Sequence, residues 1–111
     1  MPTAWRPTLR EVVRAFALHD YALTTSVPSV APLRAGLGEH IRNYVADYGE
    51  TLAELPEQTW TTSFALWMGS FWEVTVDLWT VESGSSDMIM LCCVRESGDG
   101  FTIEISLVYV P

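Results

Sequence analysis

The stretch WTTSFALWMGSFWEVTVDLWTV, residues 60–81, decides the reading of this chain. Its apolar residues recur at every second position, and Gly69-Ser70 interrupts them where a two-residue hairpin turn belongs. Period two is a strand signal, yet here both alternating sets are apolar. Trp67, Trp72, Val74, Val76 and Leu78 form one set; Trp60, Phe64, Leu66, Met68, Phe71 and Trp79 form the other. An antiparallel pair ordinarily buries one face and wets the other. The second set also holds Glu73 and Asp77 among its aromatics, so that face calls for a partner, a ligand or a covering element.

Toward the C-terminus, Ser83-Gly84-Ser85-Ser86 and Ser97-Gly98-Asp99-Gly100 supply the next turns. Strands are predicted at about 60–68, 71–81, 87–96 and 101–110, joined as an antiparallel meander. Taking Met68 opposite Phe71, Val81 opposite Asp87 and Glu96 opposite Phe101 sorts all four strands into two faces. The predicted core face gathers Ala65, Trp67, Trp72, Val74, Val76, Leu78, Met88, Met90, Cys92, Val94, Phe101, Ile103, Ile105, Leu107 and Tyr109. The other face is centred on Trp60, Phe64, Phe71, Glu73, Asp77 and Trp79. In this register Glu73 opposes Arg95, which predicts a cross-strand ion pair. Asp77 opposes Thr62 and Leu91, near Trp60 and Trp79 and without a cation, and is the best candidate for acid–base work in a partly apolar setting.

Toward the N-terminus the period changes. Thr8 and Glu11 have the spacing of a capping box, and Leu9, Val12, Val13, Phe16 and Ala17 follow at helical intervals, predicting a helix at about 8–19. Arg6, Arg10 and Arg14 fall on one stripe of it and can pair with acids from the second half of the chain. Residues 22–36, with Pro28 and Pro32, read as a connection whose length is typical of lids and binding loops. Leu37, Ile41, Tyr44, Val45 and Tyr48 predict a second helix at about 38–48, with Gly49 as its left-handed cap. Residues 51–55 are a candidate fifth, edge strand, closed by Pro56. The expected fold is α+β: two N-terminal helices on one face of a four- or five-stranded antiparallel sheet in a single domain spanning residues 1–111.

At 111 residues and 49% hydrophobic content the chain can bury a core without staples. No apolar run approaches the roughly 20 residues of a membrane span, and residues 1–7 lack the apolar segment of a secretory signal, so a cytoplasmic protein is expected. Residues 1–42 carry five arginines against three acids and residues 43–111 one arginine against eleven, a split of +2 and −10 within a net −8. Such acidity repels phosphate backbones and anionic lipid, which argues against nucleic-acid and membrane partners and favours basic ones.

The remaining chemistry is sparse. Cys92 and Cys93 are adjacent, so on a strand they point to opposite faces and read as packing thiols. His19-Asp20 and Glu39-His40 match no metal-ligand spacing, and no nucleophile elbow or phosphate-cradling glycine loop is present. No cofactor or metal is expected.

Leu9-Arg10-Glu11-Val12-Val13-x-Ala15-Phe16, Asp20-Tyr21, Tyr48-Gly49-Glu50-Thr51-Leu52-x-Glu54-Leu55-Pro56, Trp67-Met68-Gly69 and Val76-Asp77-Leu78-Trp79-Thr80 together resemble a family of short bacterial proteins classed as a domain of unknown function. The resemblance runs from about residue 8 to the end; it implies a bacterial, cytosolic protein and brings no activity or site residue with it. The element order is also similar to the NTF2-like cone, which implies a pocket between sheet and helices, although a third helix is missing. The leading expectation is a non-enzymatic module that binds a protein partner or a second copy of itself through Trp60, Phe64, Phe71, Glu73, Asp77 and Trp79. The alternative is a small-molecule-binding protein or enzyme with an aromatic pocket and Asp77 or Glu73 as acid or base. The shape of the second face discriminates between them: flat and exposed for an interface, concave and enclosed for a ligand.

Overall fold

The structure, a computed structural model, describes residues 1–111. Helices α1 (Arg6–Ala17) and α2 (Leu37–Tyr48) precede strands β1 (Phe64–Trp67), β2 (Trp72–Thr80), β3 (Gly84–Ser97) and β4 (Gly100–Tyr109), with short 3-10 turns at Thr3–Trp5 and Glu57–Thr61. The strands form one antiparallel sheet in the order β1-β2-β3-β4, giving the expected α+β architecture. No helix is long and apolar enough to cross a membrane.

Leu9, Val12, Val13 and Phe16 of α1 and Leu37, Ile41 and Val45 of α2 are all buried, as their helical spacing requires. They join Val74, Val76, Leu78, Met88, Met90, Cys92, Val94, Ile103 and Ile105 in one continuous cluster. Side chains therefore fill the space in which an NTF2-like cone encloses its pocket.

Helix α1 begins at Arg6, two residues earlier than predicted, because Pro7 suits a first turn with its preset φ and its missing N–H. The capping box does not form: Trp5 is the N-cap, no side chain caps the helix, and Glu11 lies 3.9 Å from Arg14 instead. The helix ends at Ala17. His19 turns to a left-handed φ of 65°, while the N–H groups of His19 and Asp20 donate to the carbonyls of Phe16 and Ala15 at 2.9 and 2.8 Å. The arginine stripe is met as expected, with Arg6 and Arg10 at Glu57 and Arg14 at Glu54.

Turn length set one register correctly and a second in part. Met68 donates its N–H to the Phe71 carbonyl and β1 pairs with β2 as predicted. Strands β3 and β4 pair as predicted from Ser97 to Cys92, after which Ser106 bulges out. The bulge reverses the faces beyond it: Val108 is buried in the core, whereas Leu107 and Tyr109, expected there, move to the opposite side. Between β2 and β3 the prediction was off by four at the turn and by two beyond it. Thr80 faces Gly84, and an irregularity follows in which the Ser86 hydroxyl donates to the Leu78 carbonyl at 2.7 Å and accepts the Met88 N–H at 3.1 Å. Glu73 consequently faces Cys93, not Arg95.

The outer edge of β2 has three successive covers. β1 pairs with Trp72 to Thr75. At Asp77 the cover is a pair of hydroxyls: Thr59 donates to the Asp77 carbonyl at 2.6 Å, and Ser63 accepts the Asp77 N–H at 3.0 Å. Beyond them, residues 51–55 make only the Leu52–Thr80 bridge in place of a fifth strand, with Ala53 donating to the Trp79 carbonyl and Val81 to that of Thr51. The outer edge of β4 is also covered, by the connection between the helices. Ala31 donates to the Ile103 carbonyl and Ile103 to that of Ser29, Arg34 donates to the bulged Ser106 carbonyl, and the Tyr44 hydroxyl accepts the Val110 N–H. Part of the segment expected as a lid is thus tied to the sheet.

Candidate functional site

The face of the sheet away from the helices lies outside the core cluster, although Ile89 on it is buried. Cross-strand partners define its rows: Phe71 beside Arg95, which faces Thr102; Leu66, Glu73, Cys93 and Glu104; Phe64, Thr75, Leu91 and Leu107; Asp77, Ile89 and Tyr109. The apolar side chains are most exposed at the β1 end. Phe64, Leu66 and Met68 keep 48%, 51% and 50% of their surface accessible.

Arg95 does not serve Glu73. Its guanidinium lies over the Phe71 ring, 5.2 Å from the centroid, and 3.9 Å from the Glu104 carboxylate. Trp60 also leaves the predicted site. Residues 60 and 61 belong to the 3-10 turn that follows Pro56, so Trp60 packs into the core cluster beneath the Arg6 guanidinium. Asp77 lies on the second face opposite Ile89, with its backbone held by Thr59 and Ser63 and without Trp60 as a neighbour across the strand. The Trp79 ring approaches Gly84 and packs against the margin of the core. Of the six predicted residues, the structure gathers Phe64, Phe71, Glu73 and Asp77 on one open face, leaves Trp79 at its margin and removes Trp60.

Trp67, predicted in the core, is the most exposed aromatic of the hairpin at 55%. It points to the helix side but lies at the edge strand, with its ring 5.2 Å from Trp72, which in turn meets Trp5 edge-on at 6.0 Å.

None of the five surface grooves is lined by Phe64, Phe71, Glu73, Asp77 or Trp79. One groove of about 530 Å³ lies at the end of α1, beside Arg14, His19, Asp20 and Thr24. The Asp20 carboxylate accepts the N–H groups of Thr24 and Thr25 and the Thr24 hydroxyl, contacts that hold its carboxyl below the ordinary value. Those bonds close a local turn. No three His, Cys, Asp or Glu side chains come together as a metal site. Cys92 is buried in the core, which pushes its thiol far up, and Cys93 lies on the open face 3.9 Å from the Ser106 hydroxyl.

Sequence reasoning missed a different feature, the free edge of β1. Because Met68 and Phe71 form a hydrogen-bonded pair, alternation makes Leu66–Glu73 and Phe64–Thr75 the next such pairs. Ala65 and Trp67 therefore direct their N–H and C=O groups outward, where they have no partner. The available signal was charge: residues 58–72 contain no ionisable side chain in a chain of net −8. Edge strands are commonly protected by lysine, proline or inward charge, and β1 has none of these.

No curated protein and no solved structure matches the chain significantly. Residues 13–111 match the family described as Domain of unknown function (DUF7668), and the chain belongs to that family.

Proposed function

We propose that this protein is a non-enzymatic binding module that works by protein–protein contact through the hairpin end of its second sheet face. One observation carries the reading: Phe64, Leu66 and Met68 on the open face and Trp67 on the other side are each about half exposed within five consecutive residues of β1 and its turn. Scattered apolar residues are ordinary on a surface, whereas clustered ones at an open strand mark a contact site. An interface is favoured over a small-molecule pocket because the carboxylates proposed for acid–base work, Glu73 and Asp77, line no groove. The proposed setting is a bacterial cytosol, in keeping with two adjacent thiols that point to opposite faces.

Site-specific photocrosslinking in living cells tests the reading. A benzoylphenylalanine at position 68 should give discrete adducts, and the same group at position 47, exposed on α2, should give none. Absence of adducts at position 68 refutes the proposal.

A further inference from the structure

We propose that the occupant of this surface is a second copy of the chain, paired edge to edge through β1 in antiparallel fashion, with the two-fold axis at Leu66. The inference rests on the reading of the hairpin as a protein interface and adds the identity of the partner.

Backbone geometry selects the register. The groups free to bond are the N–H and C=O of Ala65 and Trp67, so a symmetric antiparallel pair uses all of them only when Ala65 faces Trp67 of the partner subunit. Centring the axis one residue earlier, on Ala65, would place Trp67 against Ser63 of the partner subunit. Ser63 lies outside the strand, and its N–H already donates to the Thr59 carbonyl at 2.9 Å.

Side chains agree with the backbone. On the open face, this register sets Phe64 against Met68 of the partner subunit and Leu66 against Leu66 of the partner subunit, so every contact is apolar. On the helix side it sets the small Ala65 beside the large, half-exposed Trp67, and the two differ in the sense that lets them interlock. Charge agrees as well. Two chains of net −8 repel at most surfaces, and residues 58–72 form a neutral window through which they can meet.

The area sets the strength. Four side chains about half exposed, at roughly 100 Å² each, give about 400 Å² per copy and about 800 Å² in all, below the roughly 1,200 Å² of stable complexes and in the size range of weak, transient ones. The dimer is therefore reversible, with dissociation in the micromolar range.

Sedimentation velocity of the purified chain from about 5 to 500 μM should show the mass rising from 12.4 kDa toward twice that value. Amide exchange at Ala65 and Trp67 should slow with concentration while exchange at other exposed amides does not. Ala65→Pro removes an outward donor and spares the exposed apolar side chains. Leu66→Lys sets like charges across the axis while facing Glu73 within its own chain. Each should weaken dimerisation at least tenfold with an unchanged circular dichroism spectrum, and if the proline variant unfolds, the lysine variant decides. A monomer at 500 μM, or a dimer that survives Leu66→Lys in a folded chain, overturns the inference. A monomer combined with adducts at position 68 of some other mass overturns the second copy and leaves the binding module standing. A monomer without adducts ends both.

Discussion

Replacing Thr59 with valine removes one hydroxyl from a site with no access to water and conserves the shape of the side chain. Thr59 is fully buried, and its hydroxyl donates to the Asp77 carbonyl at 2.6 Å. That proton is committed, so in the 3.3 Å contact between the two hydroxyls Ser63 is the donor, and Ser63 in turn accepts the Asp77 N–H. The three residues form a closed relay that stands where a strand would otherwise pair. Valine leaves the Asp77 carbonyl without a donor and the Ser63 proton without an acceptor, a loss of roughly 2 kcal/mol. The added methyl returns at most about 0.8 kcal/mol, so the net destabilisation is about 1.5 kcal/mol. For a chain of this length that lowers the thermal midpoint by about 6 °C. Urea unfolding followed by tryptophan fluorescence should show a midpoint about 1 M lower at unchanged slope. Ser63→Ala should cost a similar amount, and the double variant less than the sum by about 0.5–1 kcal/mol, since both hydroxyls hold the same residue. A Thr59→Val protein within about 0.3 kcal/mol of the parent, or strictly additive variants, would refute the relay.

Gly38→Ala should destabilise by about 1–3 kcal/mol even though alanine is the better helix former, because a Cβ there would lie 2.5 Å from the Tyr21 carbonyl oxygen, which is backbone and cannot step aside; a raised thermal midpoint would contradict this. The Asp20 carboxyl is lowered in the folded chain, so its stabilising contribution is complete above the ordinary value of 3.8 and fades as pH falls through the lowered one. Urea midpoints measured from pH 7 to pH 3 for the parent and for Asp20→Asn should therefore converge on acidification, and a constant gap would show that the charge of Asp20 is not what its turn depends on.

How far the fold could be read in advance depended on how local its determinants are. Gly69-Ser70 is a turn so short that it leaves one register available, and β1 and β2 adopt it. The helices were legible because Leu9, Val12, Val13 and Phe16, and later Ile41 and Val45, each keep a single apolar stripe. Trp60 misled because its two-residue spacing to Thr62 and Phe64 continues the alternation by coincidence; Pro56 followed by Glu57 was the opposing signal, marking a helical turn. The Glu73–Arg95 pair failed for a tertiary reason, since the slip around Ser86 is compensated by a side-chain hydroxyl that no periodicity reveals. The bulge at Ser106 is similar, with Arg34 reaching its carbonyl from 72 residues away. The candidate site was legible as an excess of apolar residues on one face. Its free edge was not, because which backbone groups point outward depends on the hydrogen-bond phase of the hairpin.

The two margins of the sheet are unlike, and the difference governs how far assembly can proceed. A sheet with both margins open adds copies without limit, as a fibre does. Here Ser29, Ala31, Arg34 and Tyr44 occupy the β4 margin, so a molecule that has joined through β1 offers no second docking strand. The proposed β1 pairing would close at two, as an eight-stranded sheet with a blocked β4 at either end. In that proposed pairing the connection between the helices is the terminator of the assembly: a mutation that detaches it from Ile103 would turn the finite proposed pair into a growing polymer, a hazard that sits on the opposite side of the molecule from the surface it endangers.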